Sequence, residues 1–127
     1  DYRRRDGGAH ARSVDDVAAA LAAVVGETTI DSFDAVLKHL GKVHPSRYVK
    51  LVEGLAAIGL TDVHVLHNQT DALRLVAFVD RLYDAQVRMV ASGTALDEVF
   101  PHDMLSGGYR KKYLRAVSRM VALTDLG

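Results

Sequence analysis

A helix-rich α/β fold, with about five helices around a small parallel sheet of two or three strands, is the architecture this sequence predicts. Three observations carry that expectation. Apolar residues recur at helical spacing in several segments, most of them ending at a glycine. Two short apolar runs, within residues 56–66 and 87–91, flank one of those helical segments. The composition, 49% hydrophobic and 25% charged over 127 residues, supports one hydrophobic core rather than a disordered tail.

Taken in order, the first helix opens at Ser13, whose hydroxyl can cap free backbone N–H groups while Asp15 and Asp16 favour the positive helix end. Val14, Val17, Ala18, Leu21, Val24 and Val25 then share a face until Gly26. Asp31 or Ser32 caps a second helix carrying Phe33, Val36, Leu37 and Leu40, which Gly41 ends. Pro45 suits the first turn of a third, with Tyr48, Leu51, Val52 and Leu55 as its stripe. The run Ala56 to Leu66 reads as a buried strand plus a turn. A fourth helix, about Thr70 to Ala85, turns Ala72, Leu75, Val76, Val79, Leu82 and Tyr83 inward. Leu73 and Phe78 widen that stripe, which predicts a central position. Val87 to Ala91 is a second strand ending at Ser92 and Gly93, so strand, helix and strand form one crossover unit. The last helix, about Tyr109 to Leu123, is amphipathic. Tyr113, Ala116, Val117, Met120 and Val121 lie on one side, and Lys111, Lys112, Arg115 and Arg119 on the other.

Charge and residue usage narrow the function classes. Sixteen basic and sixteen acidic residues leave no net charge, so no global field draws the chain to nucleic acid or an anionic membrane. Nucleic acid is therefore not an expected partner. Cysteine is absent, which removes disulfides and cysteine zinc sites and fits a reducing cytoplasm, the expected location. No apolar stretch reaches the roughly 20 residues that span a bilayer, so membrane insertion is not expected. The sequence opens on Asp1 rather than Met and is expected to continue upstream.

Several patterns imitate catalytic motifs. Gly54 to Thr61 has the glycine spacing of a phosphate loop, but Leu60 stands where a lysine must bind phosphate and the run leads into a strand. Leu73 to Asp80 resembles an apolar strand ending in an acid, yet its periodicity is helical and Arg81 follows. Asp80 therefore reads as a solvated helix residue. His64, His67, His39 and His44 invite a metal reading, but residues three apart on a strand face opposite sides and no third ligand follows from spacing; no metal is expected. Ser92 lacks a nucleophile elbow and reads as a turn residue, kept as a minor ligand candidate because it follows a strand. The strongest cluster is Arg110, Lys111, Lys112, Arg115 and Arg119. It is either a solvated face or a binding patch, and Gly107–Gly108 directly before it offers a hinge.

Two phrases, DALRLVAFVDRLYDAQVRMVASGTAL from Asp71 to Leu96 and GGYRKKYLRAVSRMVAL from Gly107 to Leu123, together resemble the end of ZapE-like AAA+ ATPases of the AFG type. Asp1 to Arg3 resembles the phrase that ends the AAA+ core in that family. Phe33 to Leu40 and His44 to Leu55 look like the segments that follow in actinobacterial-type members.

The resemblance implies that residues 1–127 form a single C-terminal domain of a larger P-loop ATPase, with 1–12 as the junction and Tyr2 and Arg3 at the core boundary. It further implies a regulatory, lid-like role: packing on the upstream ATP-binding core and sensing nucleotide through Arg115 or Arg119, between which the phrase does not decide. Arg110, Lys111 and Lys112 are then the basic patch for a partner. ATP and Mg2+ belong to the intact parent, with no cofactor in this chain. Members are associated with bacterial cell division, so a cell-division protein is an implied partner. The alternative is a stand-alone interaction module without enzymatic activity. Lacking Walker A and B motifs, the isolated chain is expected to be inactive, and magnesium-dependent ATP hydrolysis by a clean preparation would refute that.

Overall fold

The computed structural model describes residues 13–126. Tyr2, Arg3 and the 1–12 junction expected from the sequence lie outside them. The order is α1 (Val14–Ala22), β1 (Glu27–Ser32), α2 (Phe33–Lys42), α3 (Tyr48–Val52), β2 (Leu55–Val63), α4 (Gln69–Asp84), β3 (Arg88–Gly93), α5 (His102–Leu105) and α6 (Arg110–Thr124). The three strands pair in parallel in the order β1-β2-β3, which bears out the expected α/β class and parallel sheet.

Parallel strands cannot be joined by a tight turn, so each pair needs a crossover. Helices α2 and α3 supply the first and α4 the second. The faces of β2 and β3 alternate with period two. Ile58, Leu60, Met89 and Ala91 join the main core with Phe33, Leu37, Tyr48, Leu75, Val79, Tyr113 and Met120. Ala57 and Val90 join a second, small cluster with Val17 and Leu21 of α1. Among the described residues, nearly all the helices therefore cover one face, and α1 alone covers the other.

Gly59 explains how so short a helix closes that face. A Cβ there would lie 2.5 Å from Leu21 Cδ1 and 2.9 Å from Val17 Cγ1, so the bare backbone lets α1 settle directly on β2. At its start, Ser13 and Asp16 form a capping box, each side chain bonded to the other's backbone N–H. Of the two proposed caps of α2, Ser32 is the one used: its hydroxyl accepts from Ala35 N–H at 3.1 Å.

Several boundaries differ from the sequence reading. The first helix stops at Ala22, and Val25 is almost fully exposed rather than inward. The third is a single 3-10 turn, Pro45–Arg47, followed by five α-helical residues, and Leu55 belongs to β2. β1 was not foreseen. It sits at the sheet edge, with its residues exposed or half-buried, so it never acquired the apolar run that reveals a buried strand. Its signal is the β-branched trio Thr28, Thr29 and Ile30. α5 was also unforeseen, making six α-helices among the described residues rather than about five.

β3 ends where Gly93 turns with φ +94°, pressed against the backbone of Val63. A Cβ would fall on the Val63 amide and carbonyl, which cannot rotate away. Gly93→Ala is expected to cost about 2 kcal/mol or more. Urea unfolding measures it, and a change below about 0.5 kcal/mol, the ordinary surface range, would contradict this account.

Candidate functional site

The margin of α6 beside its apolar stripe meets α4 at Asp80. Spacing alone puts Arg115 and Arg119 on one side of α6, four residues apart. The tertiary fold then brings that side against the carboxylate. Arg119 Nη1 donates to Asp80 Oδ1 at 2.5 Å, and Arg115 Nη2 lies 3.5 Å from Oδ2. Asp80 is thus no solvated helix residue: its side chain is only 20% exposed and bridges two helices. Sequence reading placed Arg81 beside it, but Arg81 instead pairs with Asp84 at 3.0 Å.

The two arginines are held unequally. Arg119 is 28% exposed, and its guanidinium also lies 4.9 Å from the Tyr83 ring centroid, a cation–π contact. Arg115 is 52% exposed and has the longer contact alone. One carboxylate therefore anchors one arginine and loosely retains the other. Arg110, Lys111 and Lys112 are exposed, with no ion pair among the described residues.

A second constellation lies beyond the end of β2. His64 and His67 follow the strand rather than sit on it, so the argument that strand alternation separates them fails. Their rings stack with centroids 5.6 Å apart. Both nitrogens of His64 face acceptors. Nδ1 is 2.9 Å from Val65 O, and Nε2 is 2.5 Å from Asp34 Oδ1 at the start of α2. A neutral imidazole has only one N–H, so only the cation satisfies both. The Val65 carbonyl first, and then Asp34, push the His64 pKa upward. These residues line a groove of about 490 Å³ between α2 and α4, with Lys38, Lys42, Asp71 and Arg74 along its walls.

Ser92 and the two motif mimics are absorbed by structure. The Ser92 hydroxyl is buried and accepts from Asp62 N–H at 3.1 Å, at the irregularity where β2 leaves register with β3. Most of Gly54 to Thr61 is strand β2, and Leu73 to Asp80 lies within α4. His44 Nδ1 accepts from Ser46 N–H in the turn before α3. Among the described residues, no three His, Asp or Glu side chains are grouped to hold a metal ion, and no helix is long and apolar enough to cross a membrane.

The landmark segments of the resemblance thus include the helix bearing Asp80, the strand after it and the helix bearing Arg115 and Arg119. The family model described as AFG1-like ATPase matches residues 6–126, nearly the whole chain. The chain belongs to the AFG1-like ATPase family. No curated protein and no solved structure matches. Family membership implies a parent that uses ATP and Mg2+. The residues of this AFG1-like chain that imitate a phosphate loop do not fit that role, being strand with Leu60 in place of the lysine.

The His64–Asp34 pair makes stability depend on pH with a defined sign. A folded pKa above the unfolded value of about 6.5 contributes stability that is complete below that value and lost as pH rises through the folded pKa. Because Asp34 is exposed, the effect is limited to about 1 kcal/mol or less. Unfolding midpoints should therefore fall from pH 6 to pH 8, less so in Asp34→Asn. An identical pH profile for the variant would exclude the pair as the cause.

Proposed function

We propose that this chain is the C-terminal, lid-like regulatory domain of an AFG1-like ATPase, packing on an ATP-binding core carried by the same polypeptide. In this reading ATP and Mg2+ bind in that core, and Arg115 is the residue that senses nucleotide. The supporting observation is the unequal grip of Asp80: Arg119 is fixed by a short hydrogen bond and the Tyr83 ring, whereas Arg115 is half-exposed at 3.5 Å. A planar guanidinium exchanges readily between carboxylate and phosphate, since its paired donors match both. Arg119 then keeps α6 seated on α4 while Arg115 changes partner. The pair gives the domain a fixed contact and a movable one on the same helix.

An interaction module acting without nucleotide is the second reading. It draws on the exposed cations Arg110, Lys111 and Lys112, with a cell-division protein as one candidate partner, and nucleotide-independent partner capture would favour it.

In the intact ATPase, Arg115→Ala is expected to lower ATP turnover about tenfold or more, with the melting temperature unchanged. Arg119→Ala should instead destabilise the fold by about 1–3 kcal/mol by leaving Asp80 underpaired. Steady-state hydrolysis and thermal unfolding of both variants separate these outcomes. Wild-type turnover in Arg115→Ala would sink the sensing assignment.

A further inference from the structure

Among the described residues, the sheet has two unlike edges. β3 forms one, and its residues Met89 to Ser92 are all buried. β1 forms the other, and none of its six residues is buried. In a parallel ladder, alternate residues turn their N–H and C=O groups toward the neighbouring strand, while the residues between turn theirs away. β1 pairs only with β2, so its outward groups have no strand partner among the described residues. Such an edge accepts a further strand unless it is blocked, commonly by proline, lysine or a bulge. β1 holds neither proline nor lysine, and its one irregularity falls between Glu27 and Thr28, which leaves Thr28 to Ser32 in unbroken register.

A cavity of about 410 Å³ opens beside that edge. Thr29 and Asp31, two residues apart and therefore on one face of β1, stand on its wall. Its apolar lining comes from Val36 and Leu40 of α2, Leu51 of α3, Leu55 and Ile58 of β2, and Phe78 of α4. A peptide that joins a sheet uses both features: main-chain groups on the edge for affinity, and an adjoining pocket that selects an alternate side chain. Ile30 turns to the opposite face, where it is exposed beside Gly59 and α1. An added strand would thus cover apolar surface on both of its faces.

Charge selects the partner. Asp31 stands on the cavity wall and Glu27 begins the strand, both exposed. A second copy of β1 would bring these acids against their own kind, which is unfavourable across a strand pair, whereas lysine or arginine is attracted. His39 is the one basic residue lining the cavity, and it opposes a cation there when charged. We propose that β1 and the cavity beside it dock an extended peptide segment of a partner protein. The segment adds a fourth strand, places one large apolar side chain in the cavity and presents lysine or arginine to Asp31 and Glu27. The site uses neither α6 nor Asp80, so it stands apart from the nucleotide-sensing reading.

The test is amide and methyl NMR of the 127-residue chain at pH 8, titrated with a capped pentapeptide of lysine, valine, leucine, valine and lysine. Saturable shifts are expected at Thr28 to Asp31 and at the Leu51 and Leu55 methyls. Replacing the peptide's leucine by alanine should weaken binding about tenfold, through the apolar area no longer buried. Methylating the peptide's backbone nitrogens removes its strand-pairing donors and should abolish binding. Asp31→Asn should weaken it about threefold, as expected of an exposed ion pair. Ala35 is an exposed residue on the cavity wall, so Ala35→Leu should fill the cavity and block the peptide with the melting temperature retained. No saturable shift, equal binding of the alanine or methylated peptide, or undiminished binding by Ala35→Leu would overturn the proposal. Self-association through β1 in the absence of peptide would assign the edge to a second copy and overturn it equally.

Discussion

Sequential parallel pairing is the constraint from which the rest of this fold follows. Strands in the order β1-β2-β3 need two crossovers progressing in the same direction, and crossovers of one hand then fall on one face of the sheet. That face collects α2, α3, α4 and α6 and with them almost the whole core. Among the described residues, the other face receives only α1, a nine-residue helix whose buried side chains are Val17 and Leu21. So small an apolar contribution can cover a sheet only by close approach, and Gly59 provides it. The same arrangement makes α4 the common support, because it closes the second crossover and carries α6 on its flank.

Polar contacts divide along that asymmetry. Where α4 meets α6, Asp80 is withdrawn from water and takes two guanidinium partners. A partly buried carboxylate is tolerated only when paired in this way. Where α2 approaches the start of α4, His64 is held between a carbonyl and a carboxylate, closer to solvent and correspondingly weaker. The first contact locks the position of one helix on another. The second lies on the wall of a groove. At the far end of α6 the pattern reverses, since the helix starts with no side-chain cap and no acid in its first turn.

Much of this was legible from residue order. The stripe of α4, the face of α6, the Ser13 start and the strand through Ile58 and Leu60 all express local periodicity, which burial merely preserves. β1 was not legible, because an exposed edge strand has no apolar face to advertise it. The misplacement of Leu55 has a related cause, since its apolar character suited helix and strand equally. Asp80 was misread because its neighbours along the chain predict a solvated helix position, and its true partners lie 35 and 39 residues away.

By itself, then, the sequence determined the α/β class, the helix faces, the absence of a phosphate loop and, through its landmark phrases, the family. Each of these is local in the chain or a matter of residue identity. Only the tertiary structure decided which carboxylate receives Arg115 and Arg119, that His64 and His67 stack beside Asp34, and that the Tyr113 hydroxyl is buried at an uncapped helix start. Those facts depend on how distant segments dock. Docking is set by the summed burial of the core, which no short stretch of sequence encodes.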